Sequence, residues 1–445
     1  MVNSVYEVTS AGKPDAPAIG APGRPWLSYA GLKKLTDDTL AALNGVGIGR
    51  GDRVAMVVPN GPEMASSFIA VASGTTSAPL NPAYRADEFE FYLDDLKPKA
   101  VIVQQGMDSP VRAVAVKVGV PIVELVPTAD APAGTFTLDV SALKPAKAAK
   151  PGTSVGEEIA LVLHTSGTTA RPKIVPLSTA NLAASARHIG KSLTLTPVDR
   201  CLNIMPLFHI HGLIAATLSS LGAGASVSCT PGFNALRFFA WLEEVKPTWY
   251  TAVPTMHQAI LGRLRSHVDA AKAAKLRFIR SSSASLPPQV MAELEAAFDC
   301  PVIEAYGMTE ASHQMASNAL PPGKRKPGAV GLAEHQVAVG DLTRADRDAA
   351  FAAHALPAQI CHGHTAFEQS LQQNLNKLMA DMQKTLQESS DGSMSASASS
   401  VAIDAAARDE PTLPSDSTMA RANISSRGCS GSAFIASVCC STASN

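Results

Sequence analysis

The chain of 445 residues carries no surplus of charge of either sign: 37 lysines and arginines stand against 38 aspartates and glutamates, a formal net charge of -1. So balanced a chain offers no field for nucleic acid or an acidic membrane, and partners have to be read from sites. Long apolar runs are also missing, and none approaches the roughly 20 residues of a spanning helix. The opening "MVNSVYEVTS" has no basic and apolar segment of the secretory kind. Cysteine is sparse, seven residues scattered through a long chain. An odd, dispersed set excludes a disulfide framework and reads as reduced thiols of a cytosolic-type compartment. No internal repeat is present. These absences predict a soluble, cytoplasmic protein, with a peroxisomal address left open because no carboxy-terminal signal is recognisable.

What the sequence does have is apolar content of 46%, enough for a sizeable core and two domains. From about Asp52 to Ala305 short apolar runs rich in branched side chains alternate with amphipathic stretches. "DRVAMVV", "KAVIVQQ", "IALVLHT", "CLNIMP", "TWYTAV", "LRFIRS" and "PVIEA" predict strands. "ADEFEFYLDDL", "STANLAASARHI", "NALRFFAWLEEV" and "PPQVMAELEAAF" predict helices, several opening on a cap or an early proline. That alternation predicts an α/β fold with parallel-rich sheets flanked by helices.

The texture changes near Gly331, so residues 1–331 are expected to form the main domain. In 332–388, Phe367, Leu371, Leu375, Leu378, Met382 and Leu386 recur at three- and four-residue spacings and predict one amphipathic helix, with self-association through 366–388 as a possible use. Residues 389–445, rich in Ser and Ala with few large apolar side chains, read as disordered.

The stretch "HTSGTTARPK", His164 to Lys173, follows the apolar run "EIALVL". Thr165, Ser166, Thr168 and Thr169 sit where a strand ends, Gly167 permits a tight turn, and Lys173 follows behind Pro172. Backbone N–H groups, hydroxyls and an ammonium converging on one turn make a polyphosphate cradle. The glycine-to-lysine gap differs from that of the common P-loop. "GVGIGRGD", Gly45 to Asp52, lacks the third glycine of a dinucleotide fingerprint and precedes a strand instead of following one. His209 and His211, two residues apart, are expected to point to one side of a strand end, yet no neighbouring Cys or carboxylate completes a zinc set. Cys361, His362 and His364 in "CHGH" lack a fourth ligand and read as a loop.

The stretch from His164 resembles the phosphate loop of the adenylate-forming superfamily of acyl-CoA synthetases, luciferases and adenylation domains. Three further segments resemble it in the right order: "MPLFHIHG" (Met205 to Gly212), "YTAVPTMHQAIL" (Tyr250 to Leu261) and "EAYGMTEAS" (Glu304 to Ser312). The wording of "PLNPAYRADEFEFYL", "PLFHIHGLIAATLSSLGAGA", "WYTAVPTMHQ" and "LRFIRSSSASL" is closest to the oxalate–CoA ligases of plants and fungi. The resemblance spans about Tyr6 to Gly331 and implies the large amino-terminal domain of that fold, with two parallel-rich sheets. It implies ATP-dependent activation of a small carboxylic acid, oxalate by the nearest wording, through an acyl-adenylate to a CoA thioester. ATP, magnesium and coenzyme A come with that chemistry.

The same resemblance implies that Thr165, Ser166, Gly167, Thr168, Thr169 and Lys173 hold the β- and γ-phosphates. Thr309 contacts the α-phosphate, Glu310 helps bind magnesium, and Tyr306 with the backbone near Gly307 lines the adenine site. Lys173, Thr309 and Glu310 are the implied catalytic groups. His209 becomes a wall of the acyl pocket, and Ser283, Ser285 and His313 its far wall. Ser283 and Ser285, two apart, face one way if extended, and a second carboxylate on the acid would satisfy all three polar groups.

The sequence departs from the family pattern in places. Ala170 stands at a usual glycine, and Ile174 at the glycine that follows the lysine. If that second position needs positive φ, a β-branched residue is strained there by roughly 1–3 kcal/mol. Beyond "KPGAVG" the family's remaining barrel strands, ribose aspartate, hinge arginine and the small domain with its lysine have no counterpart in 332–445. The expectation is a shortened ligase with an incomplete third subdomain and weakened turnover; the alternatives are a non-catalytic nucleotide- or acyl-adenylate-binding protein and an interaction protein.

Overall fold

A computed structural model describes residues 2–128, 130–165 and 172–330. They lie in one unit spanning 1–365. The helix and tail expected within 332–445, and the "CHGH" cluster, fall outside the described residues.

Two sheets carry the chemistry-bearing segments. The seven-stranded sheet runs, edge to edge, Phe136–Asp139, Ile122–Pro127, Ala100–Gln104, Arg53–Val57, Thr76–Pro79, Ile159–Thr165 and Lys173–Ser178. Its five inner strands are mutually parallel, and each edge is closed by an antiparallel strand. The eight-stranded sheet runs His313–Ser317, Val302–Met308, Phe278–Ser282, Trp249–Ala252, Arg200–Asn203, Ser226–Cys229, Pro17–Ala21 and Arg24–Ser28. It follows the same plan, with antiparallel pairs only at its two edges.

Parallel strands are covered on both faces, which is why they read as unbroken apolar runs and not as alternations. Phe278–Ser282 and Trp249–Ala252 are buried at every position. Helix Pro62–Ala72 is apolar or small at every position but Glu63, which pairs with Arg24, and it is buried along its whole length. It packs against strand Thr76–Pro79 of one sheet and strands Pro17–Ala21 and Ser226–Cys229 of the other, so it forms the shared core between them. The wide-turned π-helix His211–Leu218 is likewise buried throughout. Among the described residues no helix is long and apolar enough to cross a membrane.

The predicted elements are in place, Ala86–Leu96, Thr179–Ser192 and Pro288–Phe298 among them. One expectation is corrected: Met205 to His211 does not end a strand with two histidines on one side. The strand stops at Asn203, His209 lies exposed on the turn that follows, and His211 opens the buried π-helix. Asn203 causes the change, because its side chain accepts from the Met205 N–H (3.0 Å) and donates to the Gly212 carbonyl (3.2 Å), folding the chain back on itself. Gly212 is required there, since a Cβ would stand 2.4 Å from the Pro206 carbonyl oxygen.

Candidate active site

The phosphate-loop segment is a hairpin. Strands Ile159–Thr165 and Lys173–Ser178 pair antiparallel with Thr165 opposite Lys173 and His164 opposite Ile174. Ser166, Gly167, Thr168 and Thr169 lie outside the described residues, but the pairing brings the two ends of their turn side by side. Ile174 sits in extended backbone within this ladder and is not among the residues of positive φ, so the strain expected of a β-branched side chain does not arise. His164 is fixed by Asp95, Nε2 to Oδ2 2.9 Å, and by the edge of the Tyr92 ring. Burial holds the imidazole below its usual range, opposed in part by the Asp95 carboxylate.

The second motif closes on the first. Strand Val302–Met308 runs into the short 3-10 turn Thr309–Ala311. There Thr165 Oγ1 donates to Glu310 Oε1 at 3.4 Å, joining residues 145 positions apart. Tyr306 projects from the same strand, 48% exposed. Gly307 is fixed by packing: a Cβ there would meet the His313 carbonyl oxygen at 1.7 Å. The pairing with His313–Ser317 shifts register between Tyr306 and Gly307, a bulge that re-aims the side chains around it.

Ser312 and His313 follow with positive φ, 53° and 96°. Backbone in these regions is costly for a side-chain-bearing residue and persists only where surroundings enforce it. Here Ser185 Oγ donates to the Ser312 carbonyl at 2.5 Å, and the His313 side chain is drawn inward to 2% exposure. Its ring stacks on His211, centroids 5.1 Å apart.

Beneath the two rings lies Arg280, which the sequence analysis did not single out. It is wholly buried. Nη1 donates to His211 Nε2 (3.2 Å) and Thr251 Oγ1 (3.3 Å), and Nη2 donates to His313 Nε2 (3.2 Å) and Gln314 Oε1 (3.0 Å). No carboxylate among the described residues pairs with it, and its Nε has no partner there. Burial pushes the guanidinium down to about 9, still cationic at neutral pH. Burial first, then the Arg280 charge, holds both His211 and His313 well below their usual range, so both rings are neutral. His211 Nδ1 reaches Ser283 Oγ at 3.0 Å. The visible signal for Arg280 was the second arginine of "LRFIRS", the one set after the apolar pair Phe278 and Ile279.

The geometry also corrects the two serines. The strand ends at Ser282, and Ser283 takes φ 74°, so Ser283 and Ser285 are not successive same-side positions of an extended segment. Both are exposed at this strand end, and Ser283 alone is tied to the His211–His313 pair. His209 stays at the site's margin, its ring against Phe208. The turn at Leu207 is tied to the neighbouring sheet by Asn60, which accepts from the Leu207 N–H (2.7 Å) and donates to the Thr230 carbonyl (2.9 Å).

Two parallel-rich sheets, a hairpin with Thr165 and Lys173 at its ends, and a glutamate and tyrosine delivered beside it by the partner sheet make an α/β core of the adenylate-forming kind. The sequence pattern of the AMP-binding enzyme family matches residues 6–343, and the chain belongs to that family. It is 43% identical over 323 residues to the oxalate–CoA ligase of Arabidopsis thaliana, covering 72% of this chain and 62% of that protein. To the oxalate–CoA ligase of Saccharomyces cerevisiae it is 40% identical over 305 residues, 63% of this chain and 55% of the relative. Among solved structures, ATP-bound MatB from Rhodopseudomonas palustris is similar with a TM-score of 0.64 and 29% identity, over 74% of this chain and 64% of that one. The chain thus spans about six tenths of the length of the curated relatives it matches.

Proposed function

We propose that residues 1–331 form the adenylate-forming part of an AMP-forming acid–CoA ligase, and that its acid is small and carries two carboxylates, with oxalate favoured by the relatives. The observation that carries this reading is the Thr165–Glu310 contact, which sets the hairpin and the nucleotide strand around one spot. In such a reaction a carboxylate oxygen of the acid bonds to the α-phosphorus of ATP as the bond to the bridging oxygen breaks and pyrophosphate leaves. The thiolate of coenzyme A then takes the acyl group, and AMP departs. Charge grows on phosphoryl oxygens with little need for proton transfer, so fixed donors and positive charge dominate.

The residues take their roles accordingly. Lys173 and Thr165, with the hydroxyls of Ser166, Thr168 and Thr169 and the Gly167 backbone, hold the β- and γ-phosphates. Thr309 meets the α-phosphate, and Tyr306 and the backbone at Gly307 face the adenine. Magnesium suits a lone carboxylate supplemented by phosphate oxygens and water. Glu310, exposed and with the Thr165 hydroxyl as its one hydrogen-bond partner among the described residues, fits as that carboxylate. When bound, the ion supplies charge stabilisation to the phosphate oxygens. Ser283 and His313 take the second carboxylate, and His209 the side of the acyl pocket.

Pyrophosphate release from ATP in the presence of magnesium tests the reading. Release that requires oxalate and is not matched by butyrate supports it. Equal release with butyrate would remove the dicarboxylate assignment. ATP binding without any acid-dependent release would leave a non-catalytic nucleotide-binding protein.

A further inference from the structure

The buried cluster under the acyl pocket has a direction. A guanidinium can only donate hydrogen bonds. Both Nη atoms of Arg280 are aimed at Nε2 atoms, those of His211 and His313, so both nitrogens must accept. The Thr251 hydroxyl accepts from Arg280 and lies 2.6 Å from His211 Nε2, where it donates in the same sense. Each neutral ring therefore carries its proton on Nδ1. The His211 Nδ1–H donates to Ser283 Oγ, which frees the exposed Ser283 hydroxyl to donate onward. The Nδ1–H of His313 has no partner among the described residues. The result is a pair of donors, the Ser283 hydroxyl and the His313 Nδ1–H, backed by a positive charge that no described carboxylate neutralises.

Building on the reading above, we propose that Arg280 is the positioning residue that commits the acyl pocket to acids with a second carboxylate. It acts without touching the substrate. It sets the tautomers of His211 and His313 so that Ser283 and His313 both donate, and its buried charge is neutralised when the distal carboxylate arrives. A buried cation without a partner is unfavourable, and a site of oriented donors over such a cation binds an anion and rejects an alkyl group of equal size. Gln314 completes the device: it accepts from Nη2, and its amide donates to Ser192 Oγ at 2.9 Å, so the guanidinium plane is held at a fourth point.

The test compares two acyl-sulfamoyl adenosine analogues, oxalyl and butyryl, for affinity to the full chain. The native chain should prefer the oxalyl analogue. Arg280→Met, which keeps length but not charge or donors, should reduce that preference by roughly ten- to hundredfold, the range of a charge-supported hydrogen bond, while AMP affinity stays within about twofold. Arg280→Lys should restore part of the preference. An unchanged preference in Arg280→Met would overturn the proposal. Should Arg280→Met fail to fold, the nitrogen spectrum of the native chain decides: protons on Nδ1 of His211 and His313 support the proposal, and protons on Nε2 of either overturn it. If the native chain binds both analogues equally, the dicarboxylate reading falls and this one with it; if it binds neither, the adenylate reading falls.

Discussion

At the scale of single residues, the candidate site divides by what each side chain must do in the sequence to be noticed. Lys173, Thr309 and Glu310 stand in short motifs, and each is exposed or half-buried in the structure, as groups that meet a ligand must be. Lys173 makes no ion pair among the described residues, so its removal should leave the fold alone. Lys173→Met is expected to lower acid-dependent pyrophosphate release by roughly 10²–10³, the loss typical of one positioned donor at a developing anion, with an unchanged melting temperature. Gly307 is the opposite case. Gly307→Ala drives a Cβ into the His313 carbonyl, and overpacking of this kind costs about 1–3 kcal/mol or more; calorimetry should show a lower melting temperature, and a neutral result would contradict the close approach. Arg280 was not legible from spacing, because its meaning depends on two histidines contributed by other elements, 69 and 33 positions away. Ser283 and Ser285 were legible as polar but not as a pair, since a left-handed residue at the strand end cannot be read from a run of serines.

At the scale of elements, long runs with a clear period were readable and edge strands were not. Helix Ala86–Leu96 and strand Ile159–Thr165 announce themselves by amphipathic spacing and by an unbroken apolar run. Strands Lys173–Ser178 and His313–Ser317 carry Pro, Ser, His and Gln, and they become strands only because a neighbour offers an open edge to pair with. Both are site strands, so the two antiparallel closures are what carry the chemistry to the sheet margins. The π-helix at His211 was equally hidden, as its wide turn follows from Asn203 folding the preceding segment back. Away from these edges, Asn60, which follows strand Arg53–Val57 of the seven-stranded sheet, ties down the turn at Leu207 of the other sheet. Asn60→Ala should leave the Leu207 N–H without its partner and lower unfolding free energy by about 1–3 kcal/mol. Urea unfolding checks this, and an unchanged midpoint would mean the turn is held by packing alone.

At the scale of the whole molecule, the two sheets share one core around helix Pro62–Ala72, and three buried histidines make the fold sensitive to acid. His211 and His313 are held well below 6.5 and His257 is pushed down to about 3, each first by burial. Below pH 6.5 the unfolded chain takes up protons that the folded chain refuses, so stability is greatest above that value and falls as pH drops toward the folded values. With about 1.4 kcal/mol per pH unit for each group, the summed slope approaches roughly 4 kcal/mol per unit. Urea midpoints should fall steeply from pH 6.5 to 5, and His257→Gln should flatten the slope by about a third; a flat profile would contradict the buried neutral rings. The fold class and the four ordered motifs were visible along the chain, whereas the convergence of sheets on one spot is a property of packing alone. That convergence is the central claim, and ATP titration measures it most directly. The native chain should bind ATP at a single site, more tightly with magnesium. Thr165→Val should weaken binding, and Glu310→Gln should abolish the magnesium dependence while leaving the fold intact. Magnesium-dependent ATP binding that survives both substitutions unchanged, or no ATP binding by the native chain, would contradict the site.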